Sequence, residues 1–201
     1  MKDMVDNYSM GTRLLYRYSR EYPRPFIISM SRSCPFNCSF CQHRSGAKYR
    51  ERSIENVMTE IKEMYERYKF NVLIILDELF AVNKVRLNKF CDAILQGKTE
   101  NGWDFDWCFQ THANARLDLD SLKMAKEAGC YFFSYGLESA SPPVLKSMHK
   151  HTKPEQIIEA IKLAKEANIG YGGNLIFGDP AETELTMSES LDFFFRYCQG
   201  D

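Results

Sequence analysis

Three of the chain's seven cysteines, Cys34, Cys38 and Cys41, fall in the stretch "SRSCPFNCSFCQH", residues 31–43. Thiolates spaced C-x-x-x-C-x-x-C in one loop can converge on a metal centre. Zinc asks for four ligands in a closed tetrahedron, and His43 is the candidate fourth. An iron–sulfur cluster of four irons ordinarily takes four cysteines. With three nearby, one metal position is left for an exchangeable ligand, which favours chemistry over scaffolding.

A disulfide framework fits poorly, because seven is odd and the polar, tyrosine-rich N-terminus lacks the apolar centre of a signal peptide. The expected location is the reducing cytoplasm. Cys91, Cys108, Cys130 and Cys198 sit among apolar neighbours and read as small buried hydrophobes. The 201 residues are 44% apolar and carry 26 basic against 27 acidic side chains, as in an ordinary globular protein. That balance argues against nucleic acid as a partner, since phosphate binding leaves a basic patch. The apolar runs are far shorter than the roughly 20 residues of a membrane helix.

Five short runs read as strands buried on both faces: "FIISMS" (26–31), "VLIIL" (72–76), "DWCFQT" (106–111), "YFFSYG" (131–136) and "NLIFG" (174–178). Helical patterns lie between them. Ser53 precedes "IENVMTEIKEMYERY", Asp120 leads "SLKMAKEAG" with Gly129 as the closing residue, and Thr152 opens "KPEQIIEAIKLAKEAN". A last helix is expected at about 184–198. This alternation implies right-handed βαβ units and an α/β parallel sheet or barrel. Residues 1–25 read as an N-terminal arm and residues 26–201 as one core domain.

In a parallel sheet all strand carboxyl ends open on one face, where ligands bind. The cysteine cluster follows the first strand, Asp77 and Glu78 the second, and His112, Asn114 and Arg116 the third. Glu138 and Ser139 follow the fourth and Asp179 the fifth. Any one of these has a bland role as a turn or cap residue; together, beside the cysteines, they suggest one site. His149 and His151, flanked by Lys150 and Lys153, read as a solvated loop. So do Arg44, Lys48, Arg50 and Arg52.

"CPFNCSFC" resembles the cluster motif of the radical S-adenosylmethionine (SAM) enzymes, with an aromatic residue, Phe40, before the third cysteine. "LDELF" (76–80), "RLDLDSLKMAKEAGC" (116–130), "YGLESASPPVLKSMHKHT" (135–152) and "AIKLAKEANIGYGGNLIFGDPAET" (160–183) are similar, in order, to segments of the branch that includes cobalamin-associated members. The resemblance covers about residues 25–200. It implies a partial parallel (β/α) barrel, here without its last strand, and a [4Fe-4S] cluster on Cys34, Cys38 and Cys41. It also implies reductive cleavage of SAM to a 5'-deoxyadenosyl radical, with an electron donor such as flavodoxin or ferredoxin.

By position, the resemblance puts Phe40 and Ile176 on the adenine, Asp77 and Glu78 on the methionine amine, and Arg116 on the methionine carboxylate. Glu138 and Ser139 match residues that reach the ribose or the methionine. The 25 residues ahead of the barrel are too few for a cobalamin domain, so cobalamin binding is not expected of this chain. Asn174 stands where the family commonly has glycine. Two other readings remain open: a truncated relative without turnover, and a zinc module on Cys34, Cys38, Cys41 and His43. The substrate is not specified.

Overall fold

The computed structural model describes residues 20–41 and 48–198. Its centre is a sheet of five parallel strands, β1 (Pro25–Ile28), β4 (Val72–Ile75), β5 (Asp106–Thr111), β6 (Cys130–Glu138) and β7 (Gly170–Leu175), in that spatial order. A two-stranded ribbon, β2 (Ser31–Arg32) against β3 (Arg50–Glu51), closes the base of the cysteine loop. Among the described residues five α-helices connect the strands and a sixth follows the last: α1 (Ile54–Tyr68), α2 (Lys84–Asn101), α3 (Leu119–Glu127), α4 (Pro142–Ser147), α5 (Pro154–Glu166) and α6 (Glu184–Phe193). The last continues as a π turn, Phe194–Cys198. No helix among the described residues is long and apolar enough to cross a membrane.

The helices cover one face of the sheet. A chain of buried rings runs along it from Phe90 through Trp107, Phe109 and Phe133 to Tyr135, with centroids 4.9 to 5.5 Å apart. Each such pair is worth about 0.5–1.5 kcal/mol beyond the area it buries, so the strands carrying them cannot slide cheaply. Val72, Ile74 and Cys108 form a smaller buried group with Tyr131 and Phe132. Cys91, Cys108 and Cys130 are buried and Cys198 half-buried, and all seven cysteines are free. Burial pushes the Cys91 thiol up to about 12 and that of Cys108 to about 11, as inert core thiols should be.

The expected strands and the observed ones agree closely for β4, β5 and β6, and differ at the fifth. That strand starts at Gly170, four residues before the expected 174, and Ile176 lies past its end. "GYGG" lacks the side chains that mark a strand because its neighbour fills their space. A Cβ on Gly172 would stand 2.8 Å from Cζ of Phe132, and one on Gly173 would run into Leu137. β7 is accordingly largely exposed rather than buried on both faces.

Helix starts shift by a residue or two. Ser53 caps α1 as expected, accepting from the Asn56 N–H. Asp118, not Asp120, caps α3, and Lys153, not Thr152, stands before Pro154 at the start of α5. Gln156 closes that turn, its Oε1 accepting from the Lys153 N–H at 2.8 Å. Gly129, with φ of +100°, follows the end of α3 as expected. Helix α2 carries Leu87, Phe90, Cys91 and Ile94 on one stripe, a helical signal that a reading centred on strands passed over.

In α2 the Trp103 indole lies against Gly97, where even a methyl group has no room. Gly97→Ala should therefore lower stability by about 1–3 kcal/mol through overpacking, although alanine is the better helix former. Urea unfolding of the metal-free chain checks this; an unchanged or raised midpoint contradicts it.

Candidate functional site

The carboxyl ends of the strands surround a cavity of about 160 Å³. Cys34, Cys38 and Cys41 line it, with Phe36, Glu78, Gln110, His112, Ser134, Gly136, Glu138, Lys150 and Asn174 among their neighbours. A larger cavity, about 960 Å³, lies between α4 and the start of α5 and carries none of the cysteines. Chemistry, not size, singles out the smaller one.

Asp77, at the end of β4, fixes the root of the cysteine loop. Its Oδ1 accepts from the Met30 N–H at 2.7 Å and its Oδ2 from the Ser31 hydroxyl at 2.6 Å. It is buried and faces the backbone rather than the cavity, while the next residue, Glu78, lines it. The tip of the loop is anchored on the far side. Ser39 N–H donates to the Met148 carbonyl at 3.0 Å, and the Phe36 ring stacks on His112 with centroids 4.2 Å apart. Ser33, just before Cys34, has φ of +68°, a strained conformation held by these attachments.

Lys150 is buried in the cavity wall, its Nζ 3.0 Å from Glu138 Oε1. The sequence suggests a solvated loop here, and the structure corrects that. His149 and His151 both take left-handed backbone angles, φ of +51° and +54°, and both are exposed. The two reversals turn the lysine between them inward. Glu138 is itself left-handed, φ of +63°, at a register shift in the β6–β7 pairing. A Cβ on Gly136 would come within 2.6 Å of both partners of this ion pair, so glycine leaves it room.

His112 is buried, and its Nδ1 accepts from the Asn114 N–H at 3.1 Å. Burial, with the Lys150 charge nearby, pulls its pKa from 6.5 to about 4. The ring is neutral at pH 7, and the hydrogen-bond network assigns its proton to Nε2. Burial also raises the thiols of Cys34 and Cys38 above their ordinary value. Lys150 pulls Cys38 back down, while Glu138, Glu78 and the other cysteines push up. Thiolates here need a cationic centre, and metal uptake must release protons.

Among the described residues no three His, Cys, Asp or Glu side chains converge to hold a single ion. The three thiols nevertheless share one cavity wall, as suits a polynuclear cluster, in which each thiolate takes a different iron. His43 and Arg44 lie outside the described residues.

Of the residues expected at the site, Cys34, Cys38, Cys41, Glu78 and Glu138 line the cavity together, and His112 joins them. Seven others, Asn114 and Asp179 among them, do not line it. Phe40 is 39% exposed, with Lys150 Nζ 5.8 Å from its ring centre. Asp77 is spent on Met30 and Ser31. Arg116 is exposed and left-handed, φ of +50°. Ser139 is buried in a turn, where its hydroxyl meets Ser190 Oγ at 3.1 Å and accepts from the Ser141 N–H. Ile176 continues past β7, its N–H donating to the Glu138 carbonyl at 2.8 Å. Lys150, Phe36, Gln110 and Ser134 are among the lining residues that sequence reasoning missed. Gln110 and Ser134 lie within runs that read as buried on both faces, so nothing in the pattern marks them for the rim.

Over 172 residues the chain is 34% identical to an uncharacterized methyltransferase of Pyrococcus horikoshii, covering 84% of this chain and 36% of that protein. It is 30% identical over 178 residues to the anaerobic magnesium-protoporphyrin IX monomethyl ester cyclase of Cereibacter sphaeroides, covering 87% and 29%. The chain thus spans about a third of the length of these curated relatives.

Two solved structures share the fold. The radical SAM methyltransferase TsrM of Kitasatospora setae, bound to tryptophan and a SAM analogue, superposes with a TM-score of 0.77 at 17% identity, over 87% of this chain and 34% of that one. The cobalamin-dependent enzyme OxsB with SAM bound gives 0.73 at 22% identity, over 84% and 26%. A family model described as the radical SAM superfamily matches residues 28–194. By that match, the chain belongs to the radical SAM superfamily.

Proposed function

We propose that this chain is a catalytic core that holds a [4Fe-4S] cluster on Cys34, Cys38 and Cys41 and binds SAM in the adjoining cavity. The observation that carries this reading is the sharing of one cavity by three spread thiols, a buried lysine–glutamate pair and Glu78. When bound, the reduced cluster supplies an electron that cleaves SAM to methionine and a 5'-deoxyadenosyl radical, which takes a hydrogen atom from substrate. An electron donor such as flavodoxin or ferredoxin, in the cytoplasm, suits seven free cysteines.

The chain's own residues bind, orient and shield. Among the described residues lining the cavity, Lys150 is the only lysine or arginine, so it replaces Arg116 as the partner for the methionine carboxylate. Glu138 holds the ammonium in place, and Glu78 accepts from the methionine amine. His112, neutral, offers Nε2–H as a donor without adding charge beside Lys150. Phe36, stacked on His112, closes that side against water. Asp77 and Ser139 act on the backbone that carries these groups rather than on the ligand. The substrate and the fate of its radical lie with groups beyond this cavity.

Anaerobic reconstitution with iron and sulfide should give a brown protein that forms 5'-deoxyadenosine from SAM under a strong reductant. Cys38→Ala should lose both cluster and product, and Cys198→Ala neither. One tightly held zinc ion and no iron would refute the assignment; a full cluster without 5'-deoxyadenosine would mark a relative without turnover.

Losing a charge-assisted hydrogen bond worth about 1.5–3 kcal/mol, Lys150→Met should weaken SAM binding about tenfold or more. Because it strands Glu138, the double variant Lys150→Met/Glu138→Gln is titrated beside it. Arg116→Met should change affinity less than about twofold, as for an exposed charge. A larger loss for Arg116→Met than for the lysine variants would reverse the assignment.

His112 binds a proton less readily folded than unfolded, so its contribution is present above pH 6.5 and is lost as pH falls toward 4. The loss is about 3 kcal/mol. Urea unfolding of the metal-free chain across this range should show a pH slope that His112→Gln flattens; equal slopes would mean that the ring titrates freely.

A further inference from the structure

We infer that Arg86 is a positioning residue for the cysteine loop, an inference that rests on the proposed cluster site. Arg86 stands in the first turn of α2, 6% exposed, outside the cavity. Its Nη1 donates to the Arg52 carbonyl at 3.2 Å and its Nη2 to the Met30 carbonyl at 3.1 Å. Met30 is the last residue before the ribbon strand that enters the loop, and Arg52 is the first after the strand that leaves it. One planar fork thus grips both chains at the neck. The Met30 carbonyl also accepts from the Arg52 N–H at 2.9 Å, and its own N–H is held by Asp77. The peptide groups on both sides of Met30 are therefore fixed, and with them the direction in which the chain runs toward Cys34.

Fold stability is a poor account of this arginine. Its Nε has no partner among the described residues, and its ion pair with Glu51 is 3.3 Å long to a carboxylate that is half-exposed. Its guanidinium carbon stands 5.7 Å from the centre of the Phe80 ring. Replacing buried ionic groups by apolar side chains of similar volume is often neutral for stability, and the carboxylate partner of Arg86 can turn to water. What an apolar side chain cannot do is hold two carbonyls, one from each chain, at the fixed spacing of a guanidinium. The register of the loop neck, and so the placement of three thiols, is what Arg86 supplies.

Arg86→Met is compared with the parent in two measurements. Its far-UV spectrum and melting midpoint should match the parent's, while its reconstituted cluster should be lost to a chelator about tenfold faster, as expected when an outer support of a metal site is removed. Metal-free protein is titrated with phenylarsine oxide, which bridges neighbouring thiols, and the variant should bind it more weakly. Arg86→Lys keeps the charge but not the fork, and should fold and also lose cluster faster. Parent-like cluster retention in either folded variant overturns the inference. If no protein takes up iron, the cluster reading falls by itself, and equal arsenical affinity in parent and variants still overturns the role of Arg86.

Discussion

Parallel pairing of five strands, each held in a fixed register against its neighbour, is the constraint on which the rest of the structure depends. It sends every strand's carboxyl end to the same rim, so residues far apart in sequence meet there without any local signal that they should. The buried rings on the helix-covered face hold that register. A one-residue slip would bring Trp107, Phe109 and Phe133 out of the core and turn Gln110 and Ser134 away from the cavity. Packing on one face thereby determines chemistry at the edge of the sheet.

The rim is electrostatically unfinished. Three thiols, Glu78 and Glu138 face one buried lysine, and burial holds Cys34 and Cys38 in their protonated forms. Such a collection gains little from itself and much from a cationic group placed among the sulfurs. The backbone is tensioned to make it: Ser33, Glu138, His149 and His151 all adopt left-handed angles around the cavity. Strain of this kind persists where surrounding attachments over-determine it. Here those attachments are the Asp77 and Arg86 grips at the loop neck and the Phe36–His112 stack at its tip.

Much of this was legible in the sequence. β-branched and aromatic runs mark β4, β5 and β6, and the cysteine spacing marks the metal-binding loop. The fifth strand was misplaced because its side chains are supplied from next door: Phe132 and Leu137 occupy the space that Gly172 and Gly173 leave. Asp77 stands at the expected rim with its carboxylate hydrogen-bonded to Met30 and Ser31, and sequence fixes which strand end a carboxylate stands on, not whether it turns to ligand or to backbone. Lys150 was hidden for a similar reason. "HKHT" has the composition of a solvated loop, and only the two left-handed histidines fold its lysine inward.

A [4Fe-4S] cluster on three cysteines leaves one iron open to SAM, and that is the central claim. Electron paramagnetic resonance of the anaerobically reduced, reconstituted chain, recorded with and without SAM, tests it most directly. The account predicts the signal of a reduced cluster whose g-values move on SAM addition and stay put in the Lys150→Met/Glu138→Gln variant at the same SAM concentration. A cluster spectrum indifferent to SAM in the parent protein would contradict it.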